Sequence, residues 1–71
     1  MTREEFNKEI DECIEDRPKD WRKGQAVFNY IHENYGIARD IQFKDHVDCF
    51  FKDDLIPTFV SLAYNRIKGI I

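Results

Sequence analysis

Apolar residues Phe6, Ile10, Cys13 and Ile14 recur at i, i+4, i+7 and i+8 in a stretch otherwise rich in charge, the spacing of one stripe on an amphipathic helix. Thr2-Arg3-Glu4-Glu5 ahead of them has the form of a capping box, in which the Thr2 hydroxyl accepts from the Glu5 N–H and the Glu5 carboxylate reaches back to Thr2. The helix is expected to end at Arg17-Pro18, because proline cannot donate and pushes the residue before it out of the helical region. A second stripe, Trp21, Gly24, Val27, Phe28, Ile31 and Tyr35, predicts a helix over residues 21–35, with Asp20 as N-cap and Gly36 as a left-handed stop. Ile37, Ala38 and Ile41 are spaced for one buried face of a shorter third helix from 37 to about 43, and residues 45–54 read as a loop. Pro57 suits the first turn of a last helix, whose Phe59, Val60, Leu62, Ala63, Tyr64 and Ile67 form a broad apolar surface ending near Gly69. That helix is expected to be the most buried element, and the apolar tail Ile70-Ile71 to cover the core edge or join a subunit contact. With no strand-like alternation and no repeats, the pattern predicts an all-α fold: a small single-domain bundle of three to four short helices over residues 1–71.

Composition adds two constraints. A chain of 71 residues buries a modest core, worth roughly 3–5 kcal/mol, and its six Phe, three Tyr and one Trp are the means of making that core adequate. Oligomer formation or a partner would reinforce it. Cys13 and Cys49 stand far apart without paired spacing, which favours free thiols in a reducing compartment over a Cys13–Cys49 bridge.

The net charge of −3 conceals an alternation: residues 1–20 carry eight acids and four bases, 21–44 two acids and four bases, 45–54 four acids and one base, and 55–71 two bases. Glu4, Glu5, Asp11, Glu12, Glu15 and Asp16 make the first helix an acidic face that could meet a basic partner. No Lys/Arg stripe is present, so direct nucleic-acid binding is disfavoured. The sequence has no secretory leader and no apolar run of membrane-spanning length, so an intracellular protein without membrane insertion is expected.

Two constellations carry chemistry. Arg22, Gln25 and Asn29 at i, i+3 and i+7 would project from one face of the second helix, offering a guanidinium fork and two amides. Such a face can pin the backbone of the 45–54 loop or bind a polar ligand or partner. Asp48-Cys49-Phe50-Phe51-Lys52-Asp53-Asp54 sets two adjacent rings between acids, so at most one ring can point fully inward and the other is a candidate anchor for a partner. Asp53 or Asp54 would help start the last helix. His46 and Cys49 form only one close pair of zinc-type ligands, and no metal or cofactor is expected. Without a Gly-rich phosphate loop, a nucleophile with a base, or an acid pair in a cleft, an enzyme is not expected either.

Arg22-Lys23-Gly24-Gln25-Ala26-Val27-Phe28-Asn29, followed by Asp48-Cys49-Phe50-Phe51-Lys52-Asp53 and then Ile56 and Phe59, resembles a group of small uncharacterised bacteriophage and mobile-element proteins. In that group the first run reads approximately Arg-x-Gly-Gln-Ala-x-Phe-Asn and the second Asp-Pro-Phe-Tyr-x-Asp. Cys49 takes the place of that proline and Phe51 that of the tyrosine. The resemblance covers about residues 22–60 and implies a bacterial-host cytoplasm without implying an activity. Two separated motifs of complementary character suggest that the second helix and the 48–53 loop meet. The expectation is that Arg22, Gln25 and Asn29 bond around Asp48 and the loop backbone, leaving Tyr30 and Phe51 at the surface. The function expected is a non-enzymatic interaction module binding and modulating a host or phage protein through exposed aromatics and the acidic first helix. The alternative is an oligomeric protein binding or sequestering a nucleotide signal at the Arg22, Gln25 and Asn29 face.

Overall fold

A computed structural model describes residues 1–70, and the packing expected of the Ile70-Ile71 tail lies outside the described residues and side chains. The elements run α1 (Arg3–Glu15), α2 (Lys23–Tyr35), α3 (Ala38–Lys44), a single 3-10 turn (Asp53–Leu55) and α4 (Ile56–Ile70), an all-α bundle.

Local signals place most helix ends. The capping box at α1 is complete: Glu5 N–H donates to Thr2 Oγ1 at 3.1 Å and Thr2 N–H to Glu5 Oε1 at 2.9 Å. The Thr2 backbone N–H, and with it the Thr2 side chain, bonds to the Glu5 carboxylate and holds that carboxyl below its ordinary pKa. At the other end of α1, Arg17 fastens the turn through its guanidinium, on Ile14 O at 2.6 Å and Trp21 O at 3.0 Å. Gly36 closes α2 with φ 69, and its N–H reaches the carbonyls of Ile31 and His32, a left-handed terminus that glycine adopts without steric cost.

One expected start is displaced. The second helix begins at Lys23, with Arg22 in extended N-cap geometry, instead of at 21 with Asp20 as its cap. Residues 18–21 form a turn closed by Trp21 N–H on Pro18 O at 3.0 Å, and this leaves Trp21 half-buried ahead of the helix. The Arg22 side chain has no acceptor to offer an N–H, so α2 takes its cap from elsewhere in the chain.

The core is one cluster drawn from all four helices: Phe6 and Ile10 of α1, Val27, Phe28 and Ile31 of α2, Ala38 and Ile41 of α3, and Phe59, Val60, Ala63 and Ile67 of α4, with Ile37 and Cys49 from the connections. The sequence pattern predicts the last helix as the most buried; among the described residues the longer α4 buries Phe59, Val60, Ala63 and Ile67, and the most buried element is α2, with Gly24, Ala26, Val27, Phe28 and Ile31. It packs against α1, α3, α4 and the 3-10 turn together, whereas α4 leaves α1 largely to α2. Rings link the layers: Phe6 meets Tyr35 at 5.8 Å and Tyr64 at 5.9 Å, and Phe59 meets Phe28 at 5.6 Å between centroids. No helix among the described residues is long and apolar enough to cross a membrane.

Candidate functional site

The two sequence motifs do meet, and of the bonds expected between them the one from Arg22 to the loop backbone is present. Gly24, at the second position of α2, lets the backbone of Cys49 lie directly on the helix: a Cβ added there would stand 1.8 Å from the Cys49 carbonyl oxygen. Around that contact Cys49 Sγ donates to Gly24 O at 3.3 Å, and Gly24 N–H donates to Asp53 Oδ1 at 2.9 Å. Asp53, expected to help start the last helix, therefore supplies the missing cap of α2, a carboxylate at the positive end of the helix dipole. Arg22 extends across the loop, donating to Phe50 O at 2.9 Å, and its guanidinium lies 5.7 Å from the centre of the Phe51 ring.

The remaining sequence candidates separate. Asp48 pairs not with Arg22 but with Gln42 Nε2 at 2.6 Å and with Phe50 N–H at 2.8 Å, folding the loop on itself. Gln25 is half-buried and makes no side-chain hydrogen bond among the described residues, and Asn29 lines a groove on the side of α1. Of the stripe expected at 22, 25 and 29, Gln25 and Asn29 remain one turn apart on α2, while Arg22 precedes the first helical residue and reaches the loop. Tyr30 is not free at the surface. Its hydroxyl donates to Glu9 Oε1 at 2.7 Å, as does that of Tyr35, so both phenols fasten α2 to α1.

Phe51 is where the loop pattern put it. Phe50 is the inward ring, edge-on to Phe28 at 5.7 Å, and Phe51 packs on Phe50 at 4.8 Å while remaining 68% exposed. Beside it is Phe43 of α3, 70% exposed and absent from the sequence candidates. A helical wheel carries the signal for it: Ile41 and Ala38 face inward, and Phe43, two residues beyond Ile41, points about 200° away from it. Phe43 and Phe51 flank a groove of about 380 Å³ completed by Phe28, Arg39, Gln42 and Phe50. No family model matches the chain, and no curated protein or solved structure matches it.

A second groove, of about 330 Å³, runs between α1 and α2, with Trp21, Tyr30 and Asn29 on one wall and Glu9, Glu12 and Asp16 on the other. The described residues contain no group of three or more His, Cys, Asp or Glu placed to hold a metal ion. Both cysteines are free thiols. Burial, with Asp11 and Asp16 nearby, pushes Cys13 up to about 11, and burial with Asp48 nearby pushes Cys49 up to about 12. Burial and the bond to Glu9 push Tyr35 up to about 12 and raise Tyr30 as well.

These four groups fix how stability responds to alkali. Each is held in its neutral form by the fold, so above about pH 8.5, where unfolded thiols ionise, the unfolded chain binds fewer protons than the folded one. Stability is therefore fully present below that pH and is lost as the pH climbs toward the raised values. The urea midpoint is expected to be level from about pH 7 to about pH 8 and to fall steadily up to about pH 10.5. A midpoint that stays level throughout would contradict the burial of these groups.

Proposed function

We propose that this chain is a non-enzymatic protein-interaction module of phage or mobile-element type, and that it docks a host or phage protein on the Phe43 and Phe51 surface. The observation that carries the reading is the pair of phenylalanines, 70% and 68% exposed, that line one groove. A small domain whose other phenylalanines are packed in or against the core gains little in stability from two rings that keep about two-thirds of their surface in water. Apolar surface presented in this way is what a partner buries. The clasp between α2 and the loop supports the reading from below, since it fixes Phe51 on a rigid base before any partner arrives, which lowers the ordering cost of association. The nucleotide-binding alternative requires Arg22, Gln25 and Asn29 to act together, and Arg22 is committed to the Phe50 carbonyl while Asn29 lines the α1 groove.

The test is a tagged pull-down from bacterial lysate using wild type, the double variant Phe43→Ser/Phe51→Ser, and Tyr30→Phe. Exposed positions tolerate such changes to within about 0.5 kcal/mol, so the double variant should keep the wild-type circular dichroism and urea midpoint. The expected result is a host or phage protein captured by wild type and by Tyr30→Phe, and lost with the double variant. Capture that does not depend on the two rings, or no specific capture, overturns the reading.

A further inference from the structure

The chain's charge is unevenly placed around its two grooves. The α1 side collects Glu9, Glu12, Asp16 and Glu33 against Arg17. The aromatic groove has the opposite character: its lining includes Arg39 and no carboxylate, and the Arg22 guanidinium stands over the Phe51 ring at its edge. Of the loop carboxylates, Asp48 is turned onto Gln42 and the Phe50 N–H, and Asp53 onto the Gly24 N–H. The ion pair of the described residues joins Arg66 to Asp45, so neither Arg22 nor Arg39 is neutralised by a carboxylate there. Arg22 uses one donor on the Phe50 carbonyl and keeps the rest of its fork available.

We infer that the aromatic groove takes an acidic segment of the partner protein, one that carries an apolar side chain between flanking carboxylates. This rests on the interaction reading above and deepens it. The apolar side chain enters between Phe43 and Phe51, and the carboxylates meet Arg39 on one flank and Arg22 on the other. An apolar segment without charge leaves both guanidiniums unpaired at the rim, and a basic segment places like charges against them. A second copy of this chain could offer the acids of α1, but the exposed face of that helix is Glu4, Glu5, Asn7, Lys8, Asp11, Glu12, Glu15 and Asp16, with no apolar side chain to fill the groove.

The inference is tested with short fluorescein-labelled peptides followed by anisotropy, one alternating Glu with Phe and Leu, one alternating Lys with Phe and Leu, and one alternating Glu with Ser. The Glu/Phe/Leu peptide is expected to bind best, to weaken as salt rises from about 50 to about 500 mM, and to shift the amide resonances of Arg39, Phe43 and Phe51. Phe43→Ser is expected to weaken it about thirtyfold. Arg39→Glu, an exposed change outside the clasp, is expected to weaken it about tenfold and to improve binding of the Lys/Phe/Leu peptide. Equal binding of the acidic and basic peptides, or no response to Arg39→Glu while Phe43→Ser still weakens binding, overturns the acidic partner and leaves the interaction surface standing. Binding that ignores Phe43→Ser overturns the surface itself. Concentration-dependent self-association abolished by Phe43→Ser, with no peptide bound, assigns the groove to a second copy and overturns the inference.

Discussion

Gly24→Ala is expected to lower the stability of this protein by about 3 kcal/mol, most of what a core of this size supplies. In an ordinary helix the same change is a gain, because alanine is the better helix former by nearly 1 kcal/mol. The sign reverses because the atoms in the way are backbone. The new methyl would fall 1.8 Å from the Cys49 carbonyl oxygen, 2.9 Å from its carbon and 3.0 Å from Asp53 Oδ1, and no rotamer change can move the first two. The loop must lift, and with it go the Cys49 thiol bond to Gly24 O and the Asp53 cap on the Gly24 N–H. Urea unfolding measures the total loss. The Cys49 thiol reports its location, since a side chain now buried and pushed up to about 12 becomes accessible and reacts with a disulfide reagent at close to the unfolded rate. Gly69→Ala is the control, because nothing lies within 4 Å of its added methyl and its stability should rise slightly. If the Gly24 variant unfolds at the wild-type midpoint, the loop does not lie on α2 as described.

Phe6→Ala is expected to cost about 3–5 kcal/mol, comparable to the whole stability of the chain. The reason is the thinness of the attachment of α1, which has two buried side chains, Phe6 and Ile10. Phe6 has no exposed surface and is held edge-on by Tyr35 and at an angle by Tyr64, so alanine leaves a cavity facing rings from two other elements. The variant is expected to lose its cooperative urea transition, while Phe6→Leu, which refills most of the volume, keeps one. Cys13 then serves as the local reporter, because its half-buried thiol against Ala26 O should react rapidly once α1 detaches. Were Phe6→Ala to unfold at the wild-type midpoint, α1 would be held by its polar contacts instead: Arg3 on Ser61 Oγ at 3.0 Å and the two phenols on Glu9.

Both predictions rest on long-range contacts, and the features legible in the chain divide along that line. The capping box at Thr2 and Glu5, the break at Pro18, the left-handed stop at Gly36 and the stripes of Phe6 with Ile10 and of Val27, Phe28 and Ile31 all follow from neighbours within a turn or two. Sterics and hydrogen-bond reach over three to five residues are properties of the local chain, so the helices and the all-α class could be read from residue order. One ring of Phe50-Phe51 turning out is equally local, a consequence of adjacent side chains diverging.

What residue order left open is which partner each polar group takes across the bundle. Arg22 reads as a helical position until Asp53 caps Gly24, twenty-nine residues before it, and the helix starts one residue after the arginine. Tyr30 reads as a surface ring until Glu9 of the neighbouring helix accepts its hydroxyl, and Asp48 reads as the mate of Arg22 until Gln42 stands closer. Phe43 reads as the end of a short helix until the packing of α3 turns it outward beside Phe51. Each outcome is a competition among several acceptable partners, and the winner is set by where the packed helices bring backbones close enough to touch. At Gly24 that closeness depends on a missing side chain, and its effect appears only when the 46–52 loop comes to rest there.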